Sequence, residues 1–242
     1  MFKKMGLGLV TVAAVTFMGF GAQASDGGIY KYRDNNPTGG GIGNQMDFFE
    51  MTFQEKGGKD LFTLKYDLEI AKGPNGFWLV VSDGPNPKNH LNEYAILYGD
   101  LRDKRVTAYV YSGKNNGDSF KKAGNFIGSF ENVISVDDDF TSISLEMDVS
   151  SINAYVPNNG MVNEWDGLAF GKKVGIWFHP ADFSNTYYNH DGSINVHSKV
   201  RGKGWYDKDN LHATHISEPA SLALLGLGLT GLGISRRRKA AA

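Results

Sequence analysis

Residues 62–70 read Phe-Thr-Leu-Lys-Tyr-Asp-Leu-Glu-Ile, apolar and polar in strict alternation. A period of two places Phe62, Leu64, Tyr66, Leu68 and Ile70 on one face of a strand, and Thr63, Lys65, Asp67 and Glu69 on the other. Residues 142–149 repeat the pattern, with Ile143, Leu145, Met147 and Val149 inward and Ser142, Ser144, Glu146 and Asp148 outward. Residues 77–81 are continuously apolar between Gly76 and Asp83-Gly84-Pro85, which predicts a central strand covered on both faces. Further strands are expected over 47–54, 94–98, 105–111, 125–136, 174–178 and 194–200. Turn signals separate them at 56–58, 74–76, 116–118 and 158–160. No strong amphipathic helix interrupts the series.

About ten short strands with regularly spaced turns point to an all-β protein. The expected architecture is one β-sandwich of the jelly-roll kind over residues 45–206. It looks broadly like the lectin and glucanase type of sandwich, an analogy of fold alone. Residues 25–44 are Gly/Asn-rich and read as a leader with one short strand at 29–33. Residues 207–216 are polar and read as a linker.

Composition narrows the function. The chain has 242 residues, no cysteine and a net charge of −1. Without cysteine there is no disulfide, thiolate catalysis, Fe–S cluster or Cys-ligated zinc. A near-neutral balance argues against a nucleic-acid partner, because phosphate binding calls for a basic surface.

The two ends carry signals of their own. Residues 1–24 comprise Lys3-Lys4, an apolar run from Met5 to Phe20, and Ala22-Gln23-Ala24. This is the layout of a signal peptide for Sec-type export, cut between Ala24 and Ser25. An uncleaved anchor is the alternative. Residues 217–242 begin Ser217-Glu218-Pro219-Ala220-Ser221, continue in a Gly-spaced apolar run from Leu222 to Ile234, and reach Arg236-Arg237-Arg238-Lys239. About 15 apolar residues give roughly 23 Å of helix, enough to span with local thinning or snorkelling of the basic side chains. Both basic ends favour the cytoplasmic side, so everything between them is expected outside the inner membrane.

The order of Glu218-Pro219, apolar run and Arg cluster resembles the PEP-CTERM sorting signal. The likeness is confined to about the last 25 residues, and Ser217 stands where the family signal has its first Pro. The resemblance implies a membrane helix, an exosortase as processing partner, transient residence in the inner membrane, then release to the surface or medium. It also implies a link to exopolysaccharide or biofilm matrix. A plain single-pass anchor without processing is the alternative.

Candidate chemistry in the middle is sparse. Glu146 and Asp148 share the polar face of a strand, as in retaining glycosidases on jelly rolls, but Val149-Ser150-Ser151 supplies no second Glu as general acid. A solvated strand face is the simpler reading. Asp137-Asp138-Asp139, Asp83 with Asn86, and Asp191 with Asn189 could offer oxygen ligands to Ca²⁺, the one cofactor considered, or simply cap turns. The six histidines, with His212 and His215 in the expected linker, suggest no metal site. Tyr109 and Tyr111 share a strand face opposite Val106, Ala108 and Val110. If the valines face the core, the tyrosines could stack on sugar rings together with Trp165 or Trp205; a strand covered on both faces would bury them instead. Trp78 and Trp177 lie in dense apolar strands and are expected in the core. The sequence therefore reads as an exported, non-enzymatic structural or binding module of envelope or matrix. The alternative is a secreted carbohydrate-active enzyme, which would need two convergent carboxylates in a concave face.

Overall fold

The alternating stretch 62–70 pairs on both sides. In the computed structural model, which describes residues 28–113, 119–157 and 165–216, it lies in β4 (Lys59–Leu68), between β3 (Met46–Lys56) and β10 (Ser142–Asp148). Phe62, Leu64, Tyr66 and Leu68 are buried, and Thr52 and Thr63 meet across the outer face at 2.6 Å. The remaining strands are β1 (Ile29–Asp34), β2 (Gly39–Gly41), β5 (Gly76–Ser82), β6 (Ala95–Asp100), β7 (Arg105–Val110), β8 (Phe126–Glu131), β9 (Ile134–Val136), β11 (Lys173–Asn185), β12 (Lys199–Gly202) and β13 (Gly204–Ile216). One helical turn, α1 (Ser150–Asn153), follows β10. The all-β expectation holds. The expected signal helix and C-terminal membrane helix lie outside the described residues.

Every named ladder is antiparallel. The strands follow one path, β8-β7-β6-β5-β11-β13-β1-β3-β4-β10-β9, with β12 added to β11 and β2 to β13. The sheet curls until its two end strands, β8 and β9, are consecutive in the chain, separated only by Asn132 and Val133. Val133 bridges that seam. Its N–H donates to the Lys104 carbonyl beside β7 (3.2 Å), and its carbonyl accepts from the Glu146 N–H of β10 (3.0 Å). The result is a nearly closed antiparallel sheet, with few free edges to attract other strands.

Three expectations need correction. The strand order is not that of a jelly roll, in which successive strands alternate between two sheets. Here β5 to β8 lie side by side in chain order, and the two halves are continuous through β13. The strand expected at 29–33 is present as β1, but it is a central strand between β3 and β13, so this part of the supposed leader belongs to the domain. The supposed linker, residues 207–216, is most of β13. Its outward residues are polar because only one face is buried, and pairing rather than apolarity holds it in place.

Two cores result. The main one fills the curled sheet, where rings from both halves meet: Phe178 lies 5.4 Å from Phe49, 4.9 Å from Tyr66 and 5.6 Å from Phe77 between centroids. The second lies on the outer face of β5, β6, β7 and β11. Trp78, Tyr98, Tyr109, Tyr111 and Trp177 are covered there by segments bearing Phe120, Ile194 and Val200. All seven residues of β5 are buried, as its uninterrupted apolarity predicts. Residues 194–200, expected as a strand, instead form mostly irregular cover with β12 beginning at Lys199.

Two outcomes follow. Phe178→Ala removes the ring shared by both halves and should cost about 3–5 kcal/mol in urea unfolding. Ending the chain after Tyr206 should abolish the cooperative thermal transition seen by circular dichroism, whereas ending it after Ile216 should preserve it.

Candidate functional site

β13 determines where the C-terminal segment leaves the domain. Its first part pairs with β11, from Phe178↔Tyr206 to Lys173↔His212. Its last part pairs with β1, from Tyr32↔Ala213 to Ile29↔Ile216. The chain therefore enters the sheet at Ile29 and leaves it at Ile216 on neighbouring strands, about 4.8 Å apart. Exposed lysines stand around this exit: Lys56 and Lys59 in the β3–β4 turn, Lys172 and Lys173 where β11 begins. Lys59 lies 3.5 Å from Asp148. Tyr30 and Phe53 pack beneath the exit against Phe170, with the Phe53 and Phe170 rings stacked at 3.4 Å. The signal cleavage pair Ala24-Ser25, the motif residues Ser217 to Ser221 and the basic cluster Arg236 to Lys239 lie outside the described residues.

The tyrosines do not form a sugar-binding surface. Tyr109 and Tyr111 are 6% and 1% exposed, beneath the loops that cover the second core. The Ile194 N–H donates to the Tyr109 hydroxyl (2.8 Å), and the Tyr111 hydroxyl donates to the Lys88 carbonyl (2.7 Å). Burial pushes both phenols up to about 12. Alternation identified a second face correctly but could not show that loops cover it. Trp78 and Trp177 are buried in the same layer, as expected. Trp165 is tied to α1 by its indole N–H on the Ile152 carbonyl (2.9 Å). Trp205 alone of the four tryptophans is exposed (44%). Its indole lies over Gly40, where a Cβ would come within 2.3 Å of Nε1, so glycine is required there.

The acidic candidates cap turns. Asp137 accepts from the Thr141 hydroxyl (2.5 Å), the Thr141 N–H (2.7 Å) and the Ser142 N–H (3.1 Å), and these bonds, the hydroxyl first, hold it below the usual carboxylate range. Asp191 accepts from Ser193, and Asp83 accepts from the Tyr94 hydroxyl (2.7 Å). Among the described residues, no three His, Cys, Asp or Glu side chains are grouped to hold a metal ion. His212 and His215 lie on β13, paired opposite Lys173 and Tyr30.

Carboxylates do line concavities: Glu131 and Asp191 border one of about 430 Å³ with Arg105 and Tyr188, and Glu131 and Asp148 another. A cleft of about 490 Å³ at the seam is bordered by Phe130, Glu131, Val133, Met147, Asp148 and Ser150. Glu131 accepts from Arg105 (2.6 Å). Asp148 accepts from the Ser150 hydroxyl (2.5 Å) and N–H (3.0 Å), which hold it below its ordinary range. A general acid needs the opposite shift.

Two titratable groups were not singled out by sequence reasoning. Asp100 is buried. It is 3.2 Å from the Tyr188 hydroxyl and 3.4 Å from Arg102, whose guanidinium also donates to the Phe183 carbonyl. Burial outweighs the adjacent cation and raises its pKa. His179 lies between Trp78, stacked at 4.8 Å, and Trp177, edge-on at 4.6 Å. Burial lowers its pKa to about 4. The alternate-residue pair Trp177 and His179 was a signal, since β alternation puts both on one face; their partner Trp78 needed the pairing with β5.

The imidazole therefore titrates near pH 4 in the folded chain and near pH 6.5 when unfolded. Its contribution to stability is fully present above pH 6.5 and is lost as pH falls towards 4, because protons bind the unfolded chain preferentially. Replacing His179 with Gln should flatten the stability curve across that window in urea titrations at stepped pH.

No curated protein and no solved structure matches the chain. Residues 215–239 match the PEP-CTERM protein-sorting motif, beginning inside β13 and running through Glu218-Pro219, the apolar segment and the Arg cluster, so the chain carries the C-terminal sorting tail of PEP-CTERM proteins.

Proposed function

We propose that this is an exported protein whose all-β domain is delivered by its PEP-CTERM tail to the cell envelope or extracellular matrix, where it serves as a non-enzymatic structural or binding module. The tail match over residues 215–239 carries the reading. The motif implies an exosortase as processing partner and export to the envelope or surface. On this reading, residues 1–24 are a signal peptide cut between Ala24 and Ser25 after Sec-type export. The apolar run from Leu222 to Ile234 holds the precursor in the inner membrane until the tail is cut near Glu218-Pro219.

The character of the domain supports a display role. Nearly all its aromatic side chains are committed to two cores. The two carboxylates lining the seam cleft are engaged by Arg105, Lys59 and Ser150. For a binding version of the role, such as adhesion to exopolysaccharide in a biofilm, Trp205 is the best-placed platform, since an exposed indole offers apolar area to a sugar ring. The curled sheet provides a sandwich-like scaffold for it, related to lectin sandwiches only by analogy.

The experiment is intact-mass and peptide mass spectrometry of the protein recovered from medium, matrix and membrane fractions. A mature form beginning at Ser25 and ending near Glu218-Pro219 outside the cell is the expected result. A full tail through Lys239, retained in the membrane fraction, would overturn processing.

A further inference from the structure

The end of the sheet from which the tail emerges is constrained by three observations. First, there is no spacer: the sorting motif begins at residue 215, while β13 continues to Ile216. Second, the chain connection is short. Five residues separate Ile216 from Leu222, where the apolar run starts. Fully extended, the connection reaches at most about 20 Å. The headgroup layer takes up about 6 Å of that. The end of the sheet is thus kept within about two Debye lengths of the headgroups at physiological salt, and closer whenever the connection is not fully stretched.

Third, charge is divided between the two ends of this half of the sheet. Lys56, Lys59, Lys172 and Lys173 are exposed near the exit, with Glu55 and Asp148 among them. At the opposite end, where β3 and β10 begin and β4 and β9 end, the exposed groups are Asp47, Glu69, Asp137, Asp138 and Asp139, with Lys72 among them beside Asp139. The ten residues of β4 put roughly 30 Å between the two ends. That exceeds three Debye lengths, so a charged surface at one end does not act on the other.

We propose that the end of the sheet formed by the start of β1, the end of β13 and the β3–β4 turn is a membrane-facing surface. In the precursor it lies against the anionic phospholipid of the inner membrane's outer leaflet, with the acidic end turned away. The inference rests on the reading of residues 222–234 as a membrane segment. Its functional consequence concerns processing: the enzyme that cuts the tail works directly beneath a folded domain, on a chain that leaves a hydrogen-bonded strand only a few residues earlier. Exit from a strand whose last residues are paired to β1 also orients the domain, which a flexible linker would not do.

The absence of cysteine makes the test clean. Single-cysteine forms of the full chain, Lys56→Cys and Asp138→Cys, place an environment-sensitive fluorophore at exposed turns on the two ends. Each is reconstituted into phosphatidylglycerol/phosphatidylethanolamine vesicles containing headgroup-spin-labelled lipid, and flotation is measured alongside quenching. Expected are co-flotation of both forms and at least threefold stronger quenching at position 56 than at 138. A flexible twelve-residue Gly/Ser insert after Ile216 should reduce the quenching at 56. Flotation with equal quenching at the two positions would overturn the membrane-facing surface while leaving the tail reading intact. Failure to float would overturn the tail reading and this inference together. Matching thermal melts of both forms would show that neither substitution disturbs the fold.

Discussion

Hydrogen bonding along β13 holds the molecule together. The strand satisfies the backbone of β11 over one part of its length and of β1 over another, and so passes from one half of the sheet to the other. An unpaired backbone group in a protein interior costs about 1–3 kcal/mol, and this strand serves two neighbours. The core depends on the same connection. Phe178 comes from β11 and Phe49 and Tyr66 from β3 and β4, and they meet only because β13 and β1 carry the sheet round between them. Val133 completes the curl with two backbone bonds across the seam. A sheet closed in this way leaves little edge for association with other chains, a useful property in a protein that carries no disulfide outside the cytoplasm.

The second aromatic layer bears on function. An exported β protein rich in Tyr and Trp suggests sugar stacking, but most of these rings line β5, β6, β7 and β11 beneath covering loops. Tyr109 and Tyr111 have their hydroxyls engaged by backbone groups of those loops, which fixes the cover in place. Asp100 does similar work: with Tyr188 and Arg102 it ties the chain following β11 to the end of β6. The surface that remains is polar and turn-rich, with Tyr187 and Trp205 as its exposed rings. Such a surface suits a domain whose role is display or cohesion and whose destination is specified by its tail.

The relation between domain and tail is structural as well as sequential. A sorting signal is usually pictured as an appendage joined by slack chain. Here the matched motif begins within a strand paired to the first strand of the domain, so the sorting tail starts where the sheet is completed.

The amino-acid pattern alone determined a good deal. Alternation in residues 62–70 and 142–149 set the buried and exposed faces of β4 and β10, because the period of a strand is independent of its neighbours. Unbroken apolarity marked β5 as covered on both faces. The sorting tail was legible because its recognition depends on local order: an acidic-proline step, an apolar run and a basic cluster. Tertiary structure decided what depends on partners distant in sequence. β13 looked like a linker because its outward residues are polar and its inward ones few, yet it is central because β1 and β11 lie on either side of it. Tyr109 and Tyr111 had the alternation of a solvent face, and what buries Tyr109 comes from other segments, among them Phe126 and the loop carrying Ile194, whose N–H meets its hydroxyl. The depressed basicity of His179 required Trp78, supplied by β5 through pairing. Local periodicity fixes which way a side chain points; the pairing of strands determines what it meets there.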